Sequence, residues 1–173
     1  MKNLTIIGGG PAALIMAAQI DTTKYHVTIC EKKKSVGRKF LVAGEGGLNL
    51  TFDSSVDELI ANYSPTEFMK PFINQFNHVY LIKWLNSISA PTFNGLSNRV
   101  FPDKDLKPID VLNKITAFIA TKGVNFQLDT QWTGWDKQGQ LTFENFECRD
   151  SDIVVFALGG ASWKVTGSDA GKS

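Results

Sequence analysis

The first apolar run is short and partly β-branched, from Asn3 to Ile7, and it stops at three consecutive glycines, Gly8 to Gly10. A run of that length and composition predicts a buried parallel strand. Pro11 to Ile20 is rich in Ala, Leu and Met and predicts a helix. Pro11 suits its first turn, where a missing N–H costs nothing. His26 to Cys30 repeats the strand pattern and ends at Glu31. Residues 3–31 therefore predict one β–α–β unit.

Residues 32–54 have no clean period; the basic run Lys32-Lys33-Lys34 leads into a glycine-rich stretch that predicts loop and short helix. Residues 55–89 predict two or three helical pieces, interrupted near Pro65 and Pro71. Their aromatics Phe68, Phe72, Phe76, Tyr80 and Trp84 recur every four residues, which predicts a core-facing stripe. Residues 90–103 contain Asn94-Gly95 and predict a hairpin. Pro108 to Lys122 predicts an amphipathic helix stopped by Gly123. Val124 to Leu128 predicts a third parallel strand, and the short alternating segments over 130–150 predict a small antiparallel meander. Ser151 to Ala157 predicts a final buried strand running into Gly159-Gly160. This order predicts an α/β, Rossmann-like three-layer fold: a parallel sheet, helices and a small antiparallel meander.

At 173 residues the length is that of one domain, and 43% apolar composition suffices for a core. Charge narrows the function. Eighteen basic against 17 acidic residues argue against binding driven by nucleic-acid phosphates and against a basic membrane-surface protein. The N-terminal apolar stretch is cut by Gly8 to Pro11, so it does not read as a signal peptide. No stretch reaches the ~18 apolar residues of a spanning helix. A soluble, cytoplasmic protein with a small-molecule substrate is expected. Cys30 and Cys148 form no C-x-x-C pair, and neither His26 nor His78 stands at metal-ligand spacing. The hydrolase elbow G-x-S-x-G is absent, and the tail near Gly171-Lys172-Ser173 fails as a P-loop because Thr166 stands where Gly is required.

The candidate chemistry lies in the glycines. Gly8-Gly9-Gly10-Pro11-Ala12-Ala13 fits G-x-G-x-x-A. In that pattern Gly8 permits the tight turn, Gly10 admits a pyrophosphate, and Ala13 lets helix and sheet pack closely. The helix N-terminus then offers free N–H groups to phosphate oxygens. Glu31 follows at the spacing of a ribose-binding carboxylate, which argues against a 2′-phosphate there. The fingerprint alone serves FAD or NAD. Gly159-Gly160 after the last strand, a second close approach of backbone to ligand, favours FAD.

Four stretches carry a narrower resemblance: residues 37–51 (GRKFLVAGEGGLNLT), 97–108 (SNRVFPDKDLKP), 132–136 (WTGWD) and 157–169 (ALGGASWKVTGSD). In that order they resemble the YhiN/BaiN-like flavoproteins, FAD- or NAD(P)/FAD-dependent oxidoreductases with a glutathione-reductase-like FAD-binding fold. The resemblance implies that Gly8, Gly10, Pro11 and Ala12 hold the pyrophosphate and Glu31 the ribose, with Lys32 beside it. It implies that Arg38 and Lys39 reach the adenosine or phosphate side, and that Gly46, Asn49, Leu50 and Thr51 approach the flavin. Trp132 falls where the class contacts adenine through the backbone, and Ala157, Leu158 and Gly159 match the second close approach. Arg38 and Lys39 also read as surface charges, Asn49 and Thr51 as turn and cap residues, and Trp132 as a packing residue. Many relatives carry Arg and Cys within the 44–52 stretch; this chain has neither there, which excludes a mechanism through that Cys.

Relatives in that family run to roughly the 300–400 residues expected of an FAD domain plus a substrate domain. The chain is thus expected to be an N-terminal portion: residues 1–173 as the FAD-binding domain, with a helical and hairpin insertion at about 55–107. The C-terminal half of the family is expected to lie outside it. The implied activity is hydride transfer between a small substrate and flavin, with NAD(P)H a possible electron donor. The alternatives are a non-catalytic FAD- or nucleotide-binding module and an inactive truncated fragment. A catalytic acid or base cannot be named from these residues.

Overall fold

The computed structural model of the chain describes residues 1–44, 47–145 and 150–160. In chain order the elements are β1 (Lys2–Ile7), α1 (Pro11–Gln19), β2 (Tyr25–Cys30), α2 (Arg38–Ala43), β3 (Thr51–Phe52), α3 (Val56–Ala61), α4 (Thr66–Gln75) and α5 (His78–Ser87). They continue with β4 (Thr92–Asn94), β5 (Arg99–Pro102), α6 (Pro108–Thr121), β6 (Asn125–Gln127), β7 (Trp132–Trp135), β8 (Leu141–Phe143) and β9 (Ile153–Phe156). The chain divides into two compact units: residues 1–42 with those from 115 onward, and Ala43–Lys114. The second unit contains the 55–107 stretch and extends past it on both sides.

In the first unit four strands pair in the order β6-β2-β1-β9, all parallel. This is the Rossmann-like arrangement, with β1 in the interior and successive strands laid outward from it. Leu4, Ile6 and Ile7 on β1 and Val27, Ile29 and Cys30 on β2 are buried. The buried positions of α1 are Ala13, Leu14, Ala17 and Ala18, one face at helical spacing. Each buried Ile or Leu contributes about 1.5–3 kcal/mol relative to exposure, so this layer anchors the unit.

Lys122 fastens the end of α1. Its ammonium donates to the Ala18 and Ile20 carbonyls at 2.7 and 2.6 Å, two acceptors near the helix C-terminus. Burial holds its pKa below the usual lysine value, with Asp21 pulling partly back. Replacing Lys122 with methionine removes both charge-assisted bonds, and the expected loss is about 1–3 kcal/mol in a urea titration.

One expectation for the first unit is corrected. The final strand was expected to be buried, but Ile153, Val154 and Val155 are half-buried and Phe156 is exposed. Among the described residues β9 is an edge strand, paired only with β1, and an apolar run cannot signal which strand lies at the edge. The meander shows two strands, β7 and β8, antiparallel with an irregularity between Trp132 and Gly134. Its expected third segment falls largely on 146–149, outside the described residues.

In the second unit β3, β5 and β4 form an antiparallel sheet, with Phe93 and Phe101 stacked at 5.9 Å across β4 and β5. The hairpin is present, but its turn is longer than an Asn-Gly pair: Ser97 and Asn98 take the left-handed conformation, at φ 61° and 57°. Ser55 and Glu58 close a reciprocal capping box at the start of α3. The expected core stripe does not form. Phe68 and Phe72 on α4 and Tyr80 on α5 are exposed, while Trp84 is buried. The reason is a break: Phe76, at φ −135° and ψ 82°, ends α4, and Asn77 caps a new helix. Four-residue spacing defines a face only within one continuous helix. The exposed rings pair with near neighbours instead, Phe68 with Phe72 at 5.4 Å and Phe76 with Tyr80 at 4.8 Å. Among the described residues no helix is long and apolar enough to cross a membrane.

Candidate cofactor site

The three glycines after β1 meet three different surroundings. Gly8 has φ +102°, and a Cβ there would stand 2.6 Å from the Ala157 carbonyl oxygen. Its amide donates to Cys30 O at 2.8 Å, and the Ala157 amide donates to Ile7 O at 2.8 Å, so the turn is tied to β2 and to the end of β9. At Gly9 a Cβ would meet Val36 Cγ1 at 2.7 Å and the Glu31 side chain at 3.1 Å. Gly10 differs. Its φ of −78° and ψ of 179° suit any residue, and no described atom lies within 4 Å of where its Cβ would be. The fold itself gives no reason for glycine at position 10; the space it keeps clear is cavity. Ala13 is completely buried, as close packing of α1 on the sheet demands.

That cavity, of about 200 Å³, lies wholly in the first unit. It brings together twelve of the residues singled out in the sequence: Gly8, Gly10, Pro11, Ala12, Glu31, Lys32, Arg38, Lys39, Trp132, Ala157, Leu158 and Gly159. Asn49, Leu50 and Thr51 belong to the second unit. There Leu50 donates to Val100 O at 2.9 Å and Thr51 pairs with Val100. Gly46 lies outside the described residues. The sequence reading passed over Gly9, Lys33, Ser35, Gly37, Thr130 and Gln131, which also line the cavity. Gly37 carried a usable signal, a lone glycine before a helix. It has φ +70°, and its amide donates to Gly9 O at 2.8 Å, which seats the start of α2 on the glycine turn.

Glu31 is held by backbone on every side. Its amide donates to Gln127 O at 2.8 Å and its carbonyl accepts from Thr130 N at 2.9 Å. One carboxylate oxygen accepts from Gly9 N at 2.7 Å and the other from Lys33 N at 2.8 Å. A carboxylate offers about four lone-pair sites, so two remain for hydroxyl donors of a ligand. Four cationic side chains, Lys32, Lys33, Arg38 and Lys39, line the cavity with this one carboxylate. The wall thus favours an anion that also carries hydroxyls. Trp132 packs edge-on against Phe156 at 5.0 Å and Trp135 at 6.3 Å, and its Nε1 is buried without an acceptor among the described residues. Among the described residues no group of His, Cys, Asp and Glu could hold a metal ion.

Residues 2–173 match the model of the HI0933-like protein Rossmann domain. The chain belongs to the HI0933-like family. These are the YhiN/BaiN-like flavoproteins that its motifs resemble. Its general class is that of the Rossmann domains of flavoprotein oxidoreductases. A 3-dehydro-bile acid delta(4,6)-reductase from Clostridium scindens is 26% identical to the HI0933-like chain over 178 residues, covering 98% of this chain and 42% of the reductase. Two solved structures share the fold at low identity. The 3-ketosteroid-delta4-(5alpha)-dehydrogenase of Rhodococcus jostii RHA1 has a TM-score of 0.60 at 15% identity, over 92% of this chain and 46% of that one. THI4 of Thermovibrio ammonificans has a TM-score of 0.57 at 12% identity, over 93% and 58%. The chain therefore spans less than half the length of the reductase it matches.

Proposed function

We propose that the chain binds FAD through its adenosine diphosphate half and serves as the cofactor-binding portion of an oxidoreductase. The observation that carries this reading is Gly10: a glycine with ordinary backbone angles and no protein neighbour for a side chain, facing the cavity at the start of α1. A pyrophosphate against the free N–H groups of that helix end accounts for it. Gly8, Pro11 and Ala12 complete the cradle, and Glu31 takes the ribose hydroxyls. Lys32, Arg38 and Lys39 offset the phosphate charge, and Ala157, Leu158 and Gly159 form the wall beside Gly8. When bound, the flavin supplies hydride chemistry; the protein's part is to hold and orient it. The reading carries NAD(P)H as electron donor, a small-molecule substrate, no nucleic-acid role and a cytoplasmic location. The bile-acid reductase relative makes reduction the first direction to assay.

The test is a visible absorption spectrum of the purified chain, taken with its intact mass and followed by titration with FAD, ADP and NADP⁺. Near-stoichiometric flavin bands, or uptake of FAD with ADP as competitor and NADP⁺ without effect, are expected. A protein of full mass that stays colourless after added FAD overturns the reading. Flavin binding with no turnover against any donor would favour the second reading, a non-catalytic nucleotide-binding module.

A further inference from the structure

The glycine fingerprint does not account for where the Lys39 side chain ends. Its Nζ donates to the Gly160 carbonyl oxygen at 3.0 Å, across 121 positions of sequence. Lys39 is the second residue of α2, the helix seated on the glycine turn through the bond from Gly37 N to Gly9 O. Past Ala157 the chain leaves the sheet and lines the cavity through Leu158 and Gly159. Gly159 has φ +75°, and the place its Cβ would take is 3.7 Å from the Lys39 ammonium. The side chain thus passes over Gly159 and closes on Gly160.

We propose that Lys39 is a positioning residue: its ammonium clasps the Gly159–Gly160 segment to α2 and so sets the part of the cavity wall that follows β9. A lysine ammonium has three donors, so two remain for an anionic ligand after Gly160 has taken one. The effect of the clasp on cofactor affinity rests on the FAD reading given above.

The experiment uses the full chain, ¹⁵N-labelled and without added ligand, as wild type, Lys39→Met and Lys39→Arg. The heteronuclear NOE of the Gly159 and Gly160 amides is read first. In Lys39→Met it is expected to fall toward loop values, and in Lys39→Arg to stay near wild type, while Gly8 and Gly10 do not change in either. FAD titration follows. The dissociation constant is expected to rise about tenfold in Lys39→Met, as loss of one charge-assisted hydrogen bond implies, and to recover in Lys39→Arg. Unaltered Gly159 and Gly160 amides in Lys39→Met overturn the clasp; a drop in FAD affinity alone would then mark Lys39 as a plain phosphate contact. Failure of the wild type to bind FAD would overturn the functional reading, and the amide measurement would still decide the clasp.

Discussion

Gly10→Val is expected to abolish flavin binding and leave the protein folded. The branched side chain would enter the cavity where a pyrophosphate must approach the backbone, and FAD affinity should fall by roughly 100-fold or more, about 2.7 kcal/mol. The cost to the fold is small for two reasons. The backbone angles at position 10 are open to any residue, and no described atom beyond its chain neighbours lies within 4 Å of where the Cβ would be. What remains is the poorer helix-capping propensity of valine relative to glycine, about 1 kcal/mol or less. Urea titration and FAD titration on the same preparation separate the two effects. Wild-type affinity in the valine variant would show that no ligand passes this position. A loss of stability equal to the loss of binding would show that Gly10 serves the fold instead.

The parts of this site that are local in sequence were legible there. The glycine turn, Pro11 in the first turn of α1 and buried Ala13 lie within a few residues of one another, and their roles follow from size and backbone freedom. Glu31 was reached by counting from the turn. Its hydrogen bonds to the Gly9 and Lys33 amides were not, because spacing does not report which way a carboxylate turns. The bond between Lys39 and Gly160 was out of reach for a stronger reason, since the whole second unit intervenes in the chain. The aromatic residues of 68–84 failed in the opposite direction. Their spacing was regular, but regularity across Phe76 counted two helices as one. Asn49, Leu50 and Thr51, named for the flavin end by resemblance alone, belong to the unit built around β3, β5 and β4.

Gly8→Ala should show the converse of the valine variant at position 10, a protein that loses stability first. Two penalties act together. An alanine at φ +102° is held in a conformation that L-residues rarely adopt. Its Cβ would also stand 2.6 Å from Ala157 O and 3.0 Å from Ala157 C. Both are backbone atoms at the end of β9, one residue beyond its ladder with β1, and cannot swing aside as a side chain can. Relief requires β1 and β9 to part at the cavity end. The combined cost is about 3 kcal/mol or more, a fall in Tm of roughly 6–12 °C for a chain of this length. Gly9→Ala provides the calibration. Its shortest contact, 2.7 Å, is to Val36 Cγ1, the end of a side chain that can rotate, so its Tm should fall by less. Equal Tm losses at positions 8 and 9 would mean that the backbone at Ala157 yields as readily as the Val36 side chain. The post-β9 strand end would then be too soft to serve as a fixed wall of the cofactor site.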